Sequence, residues 1–186
     1  NENSCAQPNS LHGVMHLARE VMLANAWQGP LCFLRPTLIY GSGDPHNGYG
    51  PNRFMRQTKK GEDIFLFGEG EERRDHVWIQ DVADLTCRVL CQQSIGSLNI
   101  ATGSVVSFRE IAEQVIQLVP SSSQIKGSVR SGAMPHNGYR PFEKSATALA
   151  FPDFAYPLVC PGHYEFTKNL HIFYNFFMSF SPIRQT

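Results

Sequence analysis

No run of eighteen apolar residues occurs in the 186-residue chain, so no membrane-spanning helix is expected. Charge of neither sign is in excess, because 16 Lys and Arg balance 16 Asp and Glu. That balance excludes the broad positive field that nucleic acid or an anionic membrane would require, and it confines anion recognition to a local pocket with one or two arginines. Cysteine is sparse. The five present (Cys5, Cys32, Cys87, Cys91 and Cys160) are odd in number and contain no Cys-x-x-Cys, which argues for reduced thiols in a cytoplasmic protein and against a disulfide framework. Cys87 and Cys91, one helical turn apart, are expected to pack rather than to bind a metal. The opening residues carry no basic segment followed by an apolar one, so no secretory signal is expected; the chain opens on Asn1 rather than Met, which points to a fragment.

What is present reads as alternating helix and strand. Residues 11–26 place Leu11, Val14, Met15, Ala18, Val21 and Met22 at helical spacing before a Gly29-Pro30 stop. The apolar run Leu31-Cys32-Phe33-Leu34 follows, as expected of a strand buried on both faces of a parallel sheet. Residues 41–51 are loop-like, 52–60 form a short helix closed by Gly61, and 64–67 and 77–79 are short strands on either side of Gly68-Glu69-Gly70. Asp81 is the expected N-cap of a helix over 82–91, and 97–100 is a strand. Ser107 with Glu110 has the spacing of a capping box, opening a helix with Ile111, Val115, Ile116 and Val119 on one face. Beyond Pro120 the chain is loop-rich, with a helix expected only over 142–149. The segment Pro-His-Asn-Gly-Tyr occurs at 45–49 and again at 135–139, either as two similar surface turns or as two loops lining one cleft.

The stretch Gly68-Glu69-Gly70-Glu71-Glu72-Arg73-Arg74-Asp75-His76-Val77-Trp78-Ile79-Gln80-Asp81-Val82-Ala83 carries the most information. A glycine turn, Arg-Asp, an aromatic or His, a β-rich run and Asp-Val-Ala in this order resemble the extended short-chain dehydrogenase/reductases, the NAD-dependent epimerases and dehydratases of nucleotide sugars. Three further blocks stand in the family's order: Leu34-Arg35-Pro36-Thr37-Leu38-Ile39-Tyr40-Gly41, Leu98-Asn99-Ile100-Ala101-Thr102-Gly103, and residues 142–152. The resemblance covers roughly residues 8–152. It implies an α/β Rossmann-like fold, with 1–50 as the catalytic helix and last strands of the cofactor domain, 51–156 as the substrate-binding portion, and 157–186 unassigned.

The family's catalytic helix carries Tyr-x-x-x-Lys, and His12 and His16 occupy those positions. The resemblance therefore implies catalytic roles for His12 and His16. An imidazole can act as general acid or base; the alternatives are lost or altered activity, or two ordinary helix histidines facing solvent. A metal site is not expected, because the Glu of His-Glu-x-x-His is absent. The resemblance also implies NAD, or NADP, in a full-length parent, with His16, Arg35 and Tyr40 near the cofactor. The glycine-rich turn that holds the pyrophosphate is missing, so it is expected upstream of Asn1. On the substrate side Arg74 matches the arginine that binds the diphosphate of the nucleotide sugar, its alternative being a surface ion pair with Glu71, Glu72 or Asp75. Asn52 is a sugar or phosphate contact or a helix cap. Phe65 and Phe67 flank the base or, more plainly, pack in the core. The resemblance implies a nucleotide sugar as partner and allows a homodimer through the catalytic helix, and the charge balance leads us to expect neither nucleic acid nor membrane.

Overall fold

The computed structural model describes residues 1–41, 44, 47 and 50–156; the tail expectation for 157–186 and most of the first Pro-His-Asn-Gly-Tyr segment lie outside the described residues. The first helix, α1 (Leu11–Ala26), has the expected bounds, and the Ser10 hydroxyl accepts from Gly13 N–H at its start (3.2 Å). None of its residues is buried; Leu11, Met15 and Met22 are exposed. Arg35 ties it to the next strand, donating from Nε to Glu20 at 3.0 Å, with Nη2 on the other carboxylate oxygen.

The chain then runs extended through β1 (Cys32–Pro36) and β2 (Leu38–Tyr40), and changes partner at the residue between them. Residues up to Pro36 pair in parallel with β6 (Gly96–Ile100), Pro36 lying opposite Ile100. From Leu38 onward they pair in parallel with β5 (His76–Trp78), Leu38 lying opposite His76. Thr37 N–H bonds to Ile100 and Leu38 N–H to Asp75, so the strand splits between two neighbours without losing its ladder. In α/β folds such divergence opens a crevice where ligands bind.

The helix α2 (Pro51–Lys59) precedes β3 (Ile64–Phe67), which pairs in parallel with β8 (Ile125–Ser128). A short three-stranded sheet has β4 (Arg73–Arg74) between β7 (Val106–Ser107) and β9 (Tyr139–Arg140). Thus β3 and β5, although close along the chain, belong to different sheets. Gly70, between them, has φ of 77°, and a Cβ there would come within 2.9 Å of the Arg109 nitrogen, which donates to the Gly70 carbonyl.

Helix α3 (Ile79–Cys91) begins directly as β5 ends, with Trp78 as its N-cap. Asp81 is therefore inside the first turn and caps nothing, a correction to the expected start at 82; no loop intervenes that would need a capping side chain. The buried face of α3 is Leu85 and Val89. Cys87 and Cys91, half a turn away, are exposed and do not pack as expected. In α4 (Phe108–Leu118) the capping box forms as the spacing predicts: Ser107 Oγ accepts from Glu110 N–H (3.1 Å) and the Glu110 carboxylate from Ser107 N–H (2.7 Å). The last helix, α5 (Ser145–Ala150), starts three residues later than expected.

Burial falls into two clusters that do not follow a single break in the chain. One joins Tyr40, Phe54, Met55, Ile64, Leu66, Ile111 and Val115; the other joins Val77, Leu85, Val89, Leu98, Ile100, Phe151 and Tyr156. Among the described residues no helix is long and apolar enough to cross a membrane.

Candidate functional site

At the strand split lies a cavity of about 520 Å³, with Pro36, Thr37 and Leu38 on one wall. Its floor is fixed by Asp75, which is 1% exposed. The Asp75 carboxylate accepts from Thr102 N–H (3.1 Å), Thr102 Oγ1 (2.9 Å), Gly103 N–H (2.8 Å) and Thr37 Oγ1 (3.4 Å). Burial raises its pKa, and these donors act in the opposite direction. The aspartate of Arg-Asp is thus structural, and its neighbour Arg74 reaches the cavity.

Arg74 is 9% exposed. Its Nη1 donates to the Arg73 carbonyl (2.8 Å), and its Nη2 to the Pro135 carbonyl (3.0 Å) and to Glu72 (3.2 Å). The pairing with Glu72 matches the ion-pair alternative, but it is within the cavity wall and not on the surface. A second guanidinium faces the same space: Arg130 donates from Nη1 to Glu72 (2.7 Å) and from Nη2 to the Phe67 carbonyl (3.2 Å). Its Nε is buried with no acceptor among the described residues. Arg53 and Arg140 also line the cavity, giving four arginines against Glu72 and Asp75. Arg130 and Arg140 went unnoticed in the sequence because they stand in the pattern-poor region after Pro120.

Phe65 and Phe67 line the cavity and are 54% and 68% exposed, so the plainer expectation of core packing is corrected. Residues of a strand alternate between faces, and Ile64 and Leu66 take the inward one. Phe108 and Phe142 complete the aromatic wall. The second Pro-His-Asn-Gly turn, residues Pro135–Gly138, borders the cavity, with His136 and Asn137 in the left-handed region at φ of 53° and 51°. Pro135 and His136 line the cavity, in keeping with a loop at a cleft. Burial and then the charges of Arg140 and Arg74 lower the His136 pKa. Behind the wall, burial pushes the His76 pKa down to about 4, so the ring stays neutral at pH 7 and Nδ1–H donates to the Arg74 carbonyl (3.2 Å).

The other expected residues lie outside the cavity wall. His12 and His16 are exposed on one face of α1, with their Nε2 atoms 3.1 Å apart. Asn52 is buried and donates to Asp44 (2.8 Å); it makes no cap bond at the start of α2. Arg35 is engaged by Glu20, and Tyr40 is 3% exposed in a core cluster, where burial and then the Asp81 charge raise its pKa. No Gly-x-x-Gly-x-x-Gly occurs in the sequence.

Asp81 carries a measurable signature. Burial, with the Asp84 charge adding to it, pushes its carboxyl up from 3.8 to about 6. The folded state therefore holds a proton that the unfolded state has lost between pH 3.8 and about 6, so this contribution to stability is present at low pH and is lost as pH rises through 6. Asp81→Asn should remove that decline, stabilising the chain by about 1 kcal/mol at pH 7.5, a figure already reduced for partial exposure, and by almost nothing at about pH 3, below both values. Urea melts at the two pH values check it.

Comparison with solved structures places this arrangement among the Rossmann-like α/β folds. The UDP-N-acetylglucosamine 4-epimerase from Bacillus cereus superposes with a TM-score of 0.76 at 21% identity, over 99% of this chain and 59% of that one. The dTDP-glucose 4,6-dehydratase from Bacillus anthracis, in complex with NAD, gives 0.78 at 19% identity, over 97% and 56%. Residues 1–101 match the model of the NAD dependent epimerase/dehydratase family, and the chain belongs to that family. It is 30% identical over 125 residues to the UDP-N-acetyl-α-D-glucosaminuronate decarboxylase of Bacillus cytotoxicus, covering 64% of this chain and 39% of that protein. The chain spans about 39% of that relative's length, and under two thirds of the two solved structures.

Proposed function

We propose that the cavity takes a nucleoside-diphosphate sugar and that the chain is the substrate-side portion of an NAD-dependent nucleotide-sugar epimerase, dehydratase or decarboxylase. The observation that carries this reading is the pair of guanidiniums, Arg74 and Arg130, on one wall of an aromatic-lined cavity at a strand split. Each can present parallel N–H donors to a phosphoryl group. Phe65, Phe67 and Phe142 offer faces to a base, and the Thr37 end receives the sugar.

NAD, or NADP, would supply the hydride acceptor in the full-length parent, while this chain's residues 1–50 give the catalytic helix and last strands of the cofactor domain and 51–156 the substrate portion. His12 and His16 then serve as proton carriers in place of Tyr and Lys, with His16, Arg35 and Tyr40 on the cofactor side and Asn52, which donates to Asp44, on the substrate side. A second reading, a binding module without redox chemistry, draws support from the two histidines, which bond to each other outside the cavity wall. The free thiols of Cys5, Cys32, Cys87 and Cys91 fit a cytoplasmic location. The exposed Leu11, Met15 and Met22 of α1 fit pairing of two copies through that helix.

Calorimetric titration of the 186-residue chain with UDP, dTDP and UDP-glucuronate tests the reading. Binding of one or more of these is expected, with no heat on addition of NAD alone. A folded chain that ignores all three nucleotides at millimolar concentration would sink it, and tight NAD binding would overturn the division of labour.

A further inference from the structure

The two arginines already hold an anion. One oxygen of Glu72 accepts from Arg130 and the other from Arg74, so a single carboxylate spans both guanidiniums. All three side chains are largely enclosed, at 14% exposure for Glu72, 11% for Arg74 and 21% for Arg130. Two neighbouring guanidiniums without a counter-charge would repel each other in such surroundings, and the carboxylate relieves that.

The arrangement is nevertheless incomplete, because Arg130 Nε is buried without an acceptor among the described residues. A carboxylate has two oxygens and both are used. A diphosphate has more oxygens and more charge, enough to face Arg74 and both the Nη and Nε donors of Arg130. Only the Glu72 side chain has to move: its carbonyl is fixed by Phe108 N–H (3.1 Å), and β4 begins at the next residue.

We propose that Glu72 is an internal counter-anion that the diphosphate must displace, which makes it the residue that restricts the cavity to ligands with two linked phosphoryl groups. The inference rests on the nucleotide-sugar reading of the cavity. A small monoanion satisfies one arginine and leaves Glu72 on the other, gaining little. A diphosphate replaces the carboxylate at both. Glu71, 3.6 Å from Arg130 and 46% exposed, is too far out to take over the bridge.

The test compares the wild-type chain with Glu72→Gln and Glu72→Ala, by thermal unfolding without ligand and by titration with inorganic pyrophosphate, orthophosphate and UDP. Without ligand the variants should melt lower, yet bind pyrophosphate about tenfold tighter and bind orthophosphate measurably. Weaker pyrophosphate binding would mean that Glu72 positions the arginines, and unchanged binding that it is inert; either result overturns the proposal. In the wild type the ¹³C carboxyl resonance of Glu72 should shift as pyrophosphate is added, so a variant that fails to fold still leaves a decisive measurement, and an unmoved resonance overturns the proposal. Pyrophosphate results in the expected order, combined with no binding of UDP or dTDP, would keep the role of Glu72 and remove the nucleotide-sugar reading.

Discussion

Arg74→Ala is expected to weaken binding of UDP or a UDP-sugar by roughly 2–5 kcal/mol, the range for losing one partner of an enclosed, hydrogen-bonded charge pair. Arg74 as a whole is 9% exposed, so the charge it offers is little screened by water. Its bond to the Pro135 carbonyl also ties down the turn at the cavity wall, so the alanine variant loses both a phosphate donor and an anchor of that turn. Arg74→Lys retains the charge without the fork and should recover only part of the affinity. Arg73→Ala is the control: that guanidinium reaches Glu110 and the Val105 carbonyl instead of the cavity, and its loss should cost under about 1 kcal/mol in binding. Undiminished affinity in Arg74→Ala would remove Arg74 from the site, and full recovery by lysine would mean that charge alone matters.

Asp75→Ala should lower folding stability by roughly 3–4 kcal/mol, because it strands several buried donors at once. The N–H groups of Thr102 and Gly103 and the hydroxyls of Thr37 and Thr102 all converge on that carboxylate. Asp75→Asn keeps the volume but turns an amide N–H₂ toward donors, so it should recover little of the loss. Chemical denaturation monitored at the two tryptophans measures this; a loss below about 1 kcal/mol in both variants would show that water replaces the carboxylate at no great penalty.

Features legible in the sequence were those decided by neighbours along the chain. The bounds of α1 followed from apolar spacing and a Gly-Pro stop, and the Ser107–Glu110 box from a three-residue interval. The Arg-Asp motif led to the cavity because both residues line it, Arg74 at the end of β4 and Asp75 between β4 and β5, where its carboxylate also gathers Thr102 and Gly103. Contacts between distant segments were not legible. Ile64-Phe65-Leu66-Phe67 is apolar at every position, so alternation could not tell the inward face from the cavity face until the pairing with β8 fixed it. Arg130 stands between Val129 and Ser131 with no periodic pattern, and its role appears only when β8 brings it across from Phe67. Asp81 was displaced from its expected capping role because α3 starts straight out of β5, a continuity that no local residue preference announces.

The change of partners at Thr37 also limits how this chain can vary in length. Pro36 is opposite Ile100 and Leu38 opposite His76, so a single residue both closes one ladder and opens the next. Adding or deleting one residue there would rotate every following side chain of β2 to the other face, exposing Tyr40 and turning Ile39 inward. Natural length variation should therefore stop short of Thr37, whatever residue types the surrounding positions come to hold.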